Sequence, residues 1–298
     1  MSNKLRSAQF SVNEFVNQID SYSHASLADM RHMLHRCMKD LHELGYKLGH
    51  INGLKPKHIH VLVAHWKEQH KNPATIKNYM AKLRKTANLL DKPNLIKANN
   101  NSYNIPRRTY IPSKNKAIFN IDLKKCTDPH IRLSLEAQSL FGLRREESMK
   151  LVVSEAWQGN ALVIKPSWTK GGIGRTLPIT NQAQQNWLYK TSKMIKPHHS
   201  LIPENRTYKS HLSHYQKQIE LLRVNKLHGL RHAYAQNRYH ELTAQLSPTK
   251  TPLLCPIQGG KPYKNLSSEE KIIDRTAREI LSTLLGHSRI SITRIYLG

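Results

Sequence analysis

Apolar residues recur at spacings of three and four from Ser11 to about Leu95, as in Phe15 and Ile19 and then Met30, Met33, Leu34, Met38 and Leu41. That is the period of an α-helix with one buried face, so the pattern predicts an all-helical unit. Gly45, Gly49 and Gly53 interrupt it, and a further helix is expected from His58 to His70. Asn72 and Pro73 supply an N-cap and a first-turn proline for a helix through about Leu89, with Ile76, Met80, Leu83, Ala87 and Leu90 as its apolar stripe. Residues 96 to 115 lose all period and carry an Asn-Asn-Asn-Ser run, two prolines and several basic side chains, which reads as a linker. Beyond it, Asp128-Pro129 opens a helix with Ile131, Leu133, Leu135 and Leu140, ending near Phe141-Gly142. Two short strand-like runs between Leu162 and Ile179 flank a Lys-Gly-Gly-Ile-Gly turn and predict a β-hairpin, and helical sequence resumes after Asn181. The stretch from 246 to 268 is polar and turn-rich and reads as a surface insertion. The expected organisation is a helical domain over 1–97, a linker over 98–115 and a second domain over 116–298, mainly α with a small β-sheet. Two domains also suit a chain of 298 residues.

Charge narrows the function. Lysine and arginine number 47 against 20 aspartate and glutamate, a net charge of +27, which points to a polyanionic partner. No apolar run approaches the roughly 20 residues needed to cross a bilayer, so nucleic acid is favoured over membrane. The first ten residues lack the apolar stretch of a secretory signal, and a cytoplasmic protein is expected. Cys37, Cys126 and Cys255 are far apart and suggest neither a disulfide framework nor a zinc site. His58, His60 and His65 cluster in sequence, but on a helix only the first and third share a face, so no metal is expected. Lys77, Lys82, Arg84 and Lys85 surround the apolar stripe of the helix after Asn72, and Arg107 and Arg108 lie in the linker. All six are candidates for DNA phosphates, the alternative being solvated surface.

Four segments of the second domain carry chemistry. Arg144 follows a Gly-Leu break at the start of a short helix, where its guanidinium and nearby backbone N–H groups can hold a phosphate, with Glu147 one turn on to steady it. Lys170 sits at the hairpin tip. His228 and Arg231, three apart, project from one helix face. His287 opens a last short helix, and Tyr296 follows nine residues later.

In that order, Gly-Leu-Arg-x-x-Glu, Lys-Gly at a hairpin, His-x-x-Arg-His, Leu-Gly-His and the final tyrosine resemble the signature of the tyrosine recombinase or phage integrase family of site-specific DNA recombinases. The resemblance covers residues 120 to 297, and more weakly the helical first domain, where Ala-Thr-Ile-Lys-Asn-Tyr-Met-Ala-Lys-Leu-Arg is similar to the family's core-binding domain. It implies a two-domain DNA clamp, a helical SAM-like core-binding domain joined to an α+β catalytic domain. Tyr296 would attack a phosphodiester, leaving a 3′-phosphotyrosyl link and a free 5′ hydroxyl that attacks the partner strand. Charge accumulates on the phosphate oxygens in the transition state, and Arg144 and Arg231 answer it, with His287 as a further donor. A phenol, pKa about 10, needs its proton removed during attack, a role for His228, and the departing 5′ oxygen needs one, a role for Lys170. Neither ATP, metal nor other cofactor is implied. A homotetramer on two double-stranded DNA sites, a Holliday junction, an accessory DNA-bending or directionality factor and a mobile-element role in integration or excision complete the expectation. Type IB topoisomerase-like relaxation and a non-catalytic architectural role are the alternatives. Two features depart from the family pattern. One is the added length at 246–268. The other is that only Leu297 and Gly298 follow Tyr296, where many members continue with a helix that docks on the next protomer; the exchange is absent or the chain is truncated.

Overall fold

The structure, a computed structural model, describes residues 2–107 and 111–298. The chain divides into two compact units, residues 1–109 and 110–298.

The first unit is built from α1 (Asn3–Asn17), α2 (His24–Glu43), α3 (Pro56–Glu68) and α4 (Pro73–Leu89). Helix α1 starts well before Ser11, because Ser2 caps it by accepting from the Leu5 N–H and its first turns bury only Leu5 and Ala8. Ser23 and Asn72 cap α2 and α4 in the same way, with Pro73 in the first turn of α4. Leu34, Leu41, Ile59, Leu62, Trp66, Met80 and Leu83 are inaccessible to solvent and form the core. Trp66 Nε1 donates to the buried Asp40 carboxylate at 2.8 Å, so α3 is fixed to α2 by a polar contact that leaves neither group unsatisfied.

Part of the segment read as a linker belongs to this core. Asn100–Tyr103 form a 3-10 turn, and Tyr103 and Ile105 are buried. Tyr103 Oη accepts from Lys97 N, and the Tyr103 carbonyl accepts from Lys67 Nζ. Its polar composition therefore reflects caps and turns that hold two apolar anchors, which periodicity does not register. The clustered histidines of α3 take three separate roles. His58 Nδ1 accepts from Lys55 N, the His60 ring packs at 4.8 Å from Tyr103, and His65 pairs with Gln69. Among the described residues no group of three or more side chains is placed to hold a metal.

The second unit opens with α5 (Pro129–Phe141), capped by Asp128 and closed at Gly142, whose φ of 62° suits a residue without a Cβ. Short helices α6 (Arg145–Lys150) and α7 (Val153–Ala156) lead into β1 (Trp157–Gln158), β2 (Ala161–Ile164) and β3 (Arg175–Pro178). These strands form an antiparallel sheet in sequence order, with Ile164 opposite Arg175 and Leu162 opposite Leu177. The expected hairpin is thus β2–β3, and the two-residue β1, too short for a periodic signal, extends it. Helices α8 (Gln182–Met194), α9 (Tyr208–Leu222), α10 (His228–Leu246) and α11 (Ser268–Leu284) follow, and the four-residue α12 (Arg294–Leu297) carries Tyr296. Helix α10 is buried along most of its length and packs against α5 and α11.

The 246–268 segment is not a detached surface loop. Cys255 is fully buried in a cluster with Tyr239, Leu281, Tyr296 and Leu297, and Ile257 packs against it. Its turns pack close to α12, and its last residue but one, Ser267, caps α11 in a reciprocal capping box with Glu270. A segment without period can still supply single apolar anchors, and that is what happens here. All three cysteines are buried free thiols. No described helix is long and apolar enough to cross a membrane.

Candidate active site

Helix α10 begins at the site. Its second residue, Gly229, lies so close to residues 116–118 that a Cβ would meet the Lys116 carbonyl and the Ile118 side chain, while Ile118 N donates to Gly229 O at 2.9 Å. Two residues on, Arg231 is 1% exposed and donates to the carbonyls of Gly142 and Leu285. These are the C-caps of α5 and α11, where helices leave carbonyls unpartnered and carry partial negative charge. The buried cation is therefore held by two helix ends. Its Nη2 also lies 3.3 Å from His287 Nε2, and its Nε 3.3 Å from Tyr296 Oη.

Arg144 is the N-cap of α6, and Glu147 closes the capping box, its Oε2 accepting from Arg144 N at 2.8 Å. The Arg144 guanidinium donates to Glu147 Oε1 at 2.6 Å and to the Gly286 carbonyl at 3.2 Å. A second arginine, Arg175 on β3, donates to both Glu147 oxygens, at 3.2 and 2.7 Å, and to the Leu284 carbonyl at 2.8 Å. Burial alone would raise the Glu147 carboxyl, but the hydrogen bonds and charge of Arg175, the Arg144 N–H and Arg231 bring it down to about 2. One carboxylate thus faces three arginines, and the site keeps an excess of positive charge.

That excess acts on the histidines. Burial, then Arg231, Arg144 and Arg175, push His287 down to about 3, so its ring is neutral at pH 7 and its Nε2 can accept from Arg231. The proton then sits on Nδ1, which is buried and has no partner among the described residues. Burial, Arg231, Arg144 and Lys116 also lower His228. Its Nε2 lies 3.3 Å from Tyr296 Oη. Tyr296 is 5% exposed; its ring stacks on His287 at 5.4 Å and 21° and lies 4.6 Å from the His232 ring. Its carbonyl accepts from Gln236 Nε2 at 3.0 Å, and Gln236 is paired in turn with Asn115. Chemically, this is a phenol set between a neutral imidazole and buried cations, an arrangement suited to receive a tetrahedral anion and to move a proton from the phenol.

Arg144, Glu147, His228, Arg231, His287 and Tyr296 are brought together; Lys170 is not. It is exposed on the turn between β2 and β3 and makes no hydrogen bond to the cluster. Sequence reasoning missed Arg175, His232 and Gln236. Arg175 had a signal, since strand alternation places it on the same face as the buried Leu177. Of the candidate DNA-binding residues, Lys82 forms an ion pair with Asp29 at 2.6 Å, and Arg84 donates to Lys97 O and Asn100 Oδ1. Both side chains thus have partners within the first unit. Lys85 is exposed with its ammonium over the Tyr22 ring, Lys77 is half-buried and Arg107 is exposed. Arg108 lies outside the described residues.

A buried cluster of arginines and histidines closed on a tyrosine, in a mainly helical domain with a small antiparallel sheet, is chemically suited to a phosphate anion. The family match makes this specific. The phage integrase N-terminal model matches residues 13–92 and the integrase model residues 107–237, and the chain belongs to the tyrosine recombinase (phage integrase) family. No curated protein matches its sequence. Similar solved structures share its fold. A lambda integrase tetramer bound to a Holliday junction is 12% identical, with a TM-score of 0.54 over 95% of this chain and 77% of that one. The Tn1549 transposon integrase in complex with a circular intermediate DNA is 12% identical, with a TM-score of 0.53 over 100% and 95%. The XerH site-specific recombinase bound to a palindromic difH substrate is 16% identical, with a TM-score of 0.52 over 100% and 87%.

Proposed function

We propose that this protein is a site-specific DNA recombinase, an integrase that cuts and rejoins DNA through a covalent phosphotyrosine. The observation that carries the reading is the position of Tyr296 Oη, 3.3 Å from both His228 Nε2 and Arg231 Nε. The phenol oxygen attacks the phosphorus while His228, neutral because of burial and the surrounding arginines, takes its proton. The P–O5′ bond breaks as the Tyr296 O–P bond forms, leaving a 3′-phosphotyrosyl link. Arg144, which is 29% exposed, and Arg231 answer the charge that develops on the non-bridging oxygens, with His287 as a further donor. Lys170, on an exposed turn, closes over the DNA to protonate the departing 5′ oxygen. Rejoining is the reverse reaction with the 5′ hydroxyl of a partner strand, so bond energy is conserved and no nucleotide is hydrolysed. Four protomers on two DNA sites pass strands through a Holliday junction, as the lambda integrase likeness suggests, for integration or excision of a mobile element with an accessory DNA-bending or directionality factor.

Nicked suicide duplexes tiled across the DNA flanking the gene test the reading. The expected result is a protein–DNA adduct with one or more tiles, resistant to denaturation and absent in Tyr296→Phe, whose DNA binding is retained. An adduct that persists in that variant, or none on any tile, would sink the mechanism.

A further inference from the structure

Three consecutive carbonyls at the end of α11 are each taken by an arginine from a different part of the chain. Leu284 O accepts from Arg175 of β3, Leu285 O from Arg231 of α10, and Gly286 O from Arg144 at the start of α6. His287 follows immediately. Gly286 has a φ of 62°, and a Cβ there would press on Arg175 at 3.2 Å, so the turn is wrapped around that guanidinium. All three guanidinium nitrogens of Arg175 donate, Nε to Leu284 O and the other two to Glu147, and its side chain is 3% exposed. Arg231 has all three guanidinium nitrogens engaged as well, but gives its Nε to the Tyr296 phenol, whereas Arg175 donates only to Leu284 O and Glu147. Arg144, by contrast, is 29% exposed and can meet a ligand.

We propose that Arg175 is a positioning residue, which locks the Glu147 carboxylate and the 284–287 turn together so that Arg144 and His287 address the same phosphate. The inference rests on the recombinase reading for its catalytic consequence, but not for its structural core. Arg175 joins β3, whose preceding turn carries Lys170, to Glu147 in the first turn of α6 and to the Leu284 carbonyl, three residues before His287. It never reaches the substrate itself. Glu147 remains a fixed acceptor for Arg144 only while it is ionised, and a buried carboxyl group without Arg175 would shift toward its neutral form. The ionisable groups bearing on it are Arg144 from its own helix, Arg175 from β3 and Arg231 from α10; the 3-10 turn Pro166–Trp168 packed on α6 contributes none.

The test uses the full chain labelled with 13C at glutamate carboxyls, with Glu147→Gln to assign the resonance. In the wild type, Glu147 should not titrate between pH 4 and 8. In Arg175→Met it should titrate within that window, and in Arg175→Lys the shift should be smaller. With a suicide duplex that the wild type cleaves, Arg175→Met should slow adduct formation at least tenfold while DNA affinity stays within threefold, and Arg175→Lys should recover part of the rate. Unaltered Glu147 titration in Arg175→Met, or wild-type cleavage by it, overturns the proposal. If Arg175→Met does not fold, the Lys variant is decisive, and a wild-type titration in it overturns the proposal equally. The titration needs no DNA, so a wild type that fails to cleave refutes the function and leaves this inference separately measurable.

Discussion

Arg231 Nε lies 3.3 Å from Tyr296 Oη while the other two nitrogens of the same guanidinium are held by the carbonyls that end α5 and α11. The phenol is therefore seated against a cation that is itself anchored to two helix ends, 89 and 54 positions away in the chain. Arg231→Lys keeps a charge but has one donor point, and cannot span both carbonyls and the phenol. Adduct formation should fall about 10²–10³-fold. Each buried carbonyl left unpartnered should cost about 1–3 kcal/mol, read as a lowered midpoint in urea unfolding. A variant that melts like wild type and cleaves normally would contradict the assignment.

Lys170 stands apart from the cluster, so the general-acid role proposed for it requires the turn to move on DNA engagement. Lys170→Ala should bind the cleavable duplex with little change and cleave it slowly. A duplex with sulfur in place of the bridging 5′ oxygen has a leaving group that needs no proton, and should restore the rate in this variant alone. Failure of sulfur to rescue would remove Lys170 from the role of acid.

The pKa of His228 is lowered first by burial and then by Arg231, Arg144 and Lys116. Adduct formation by wild type should accordingly hold steady from pH 8 down to 6.5 and decline only at lower pH, as the imidazole takes up its proton. A rate already falling above pH 7 would argue for a different acceptor.

His211 on α9 is fully buried, with neither ring nitrogen hydrogen-bonded among the described residues, and burial pushes it down to about 4. Arg206, His130 and His214 add to that shift and Asp128 opposes it. Its unfolded value is about 6.5, so below that pH the unfolded chain binds more protons. The stability contribution is complete above pH 6.5, diminishes as pH falls toward 4 and levels off beneath it. At pH 5 the loss should be on the order of 1–2 kcal/mol. His211→Leu should flatten this part of the melting-temperature profile, and an unchanged acid slope would count against it.

The basic residues of the first unit should separate by what they touch. Lys77→Ala, Lys85→Ala and Arg107→Ala should weaken DNA binding and reduce its logarithmic salt slope by about 1 each. Arg84→Ala should instead lower thermal stability, because it loses Lys97 O and Asn100 Oδ1. Fluorescence anisotropy across a salt series, paired with melting curves, distinguishes the two groups.

The sequence made the helices with a continuous apolar stripe legible, and with them the residues whose partners lie within a turn, such as Arg144 with Glu147 or His228 with Arg231. What it concealed depends on distance. Arg175 meets Leu284 across 109 positions, and its inward face was readable from strand alternation, though its partners were not. Gln236 is an unremarkable helix residue until Asn115 and the Tyr296 carbonyl are placed beside it. Tyr103 and Cys255 anchor segments that look like polar connections, since one buried side chain creates no period. Lys170 is the reverse case, conspicuous in sequence and unengaged in the fold.

Helix α10 supplies His228, Arg231, His232 and Gln236, so the proposed proton acceptor, the anchored cation, a ring facing the phenol and the clamp on the tyrosine backbone all share one rigid rod. Their mutual spacing is set by helical geometry, about 1.5 Å of rise per residue, and cannot be adjusted one member at a time. The site is in this sense gauged against a single ruler. Evolution can retune what surrounds it, but a bend in that helix misaligns all four groups together.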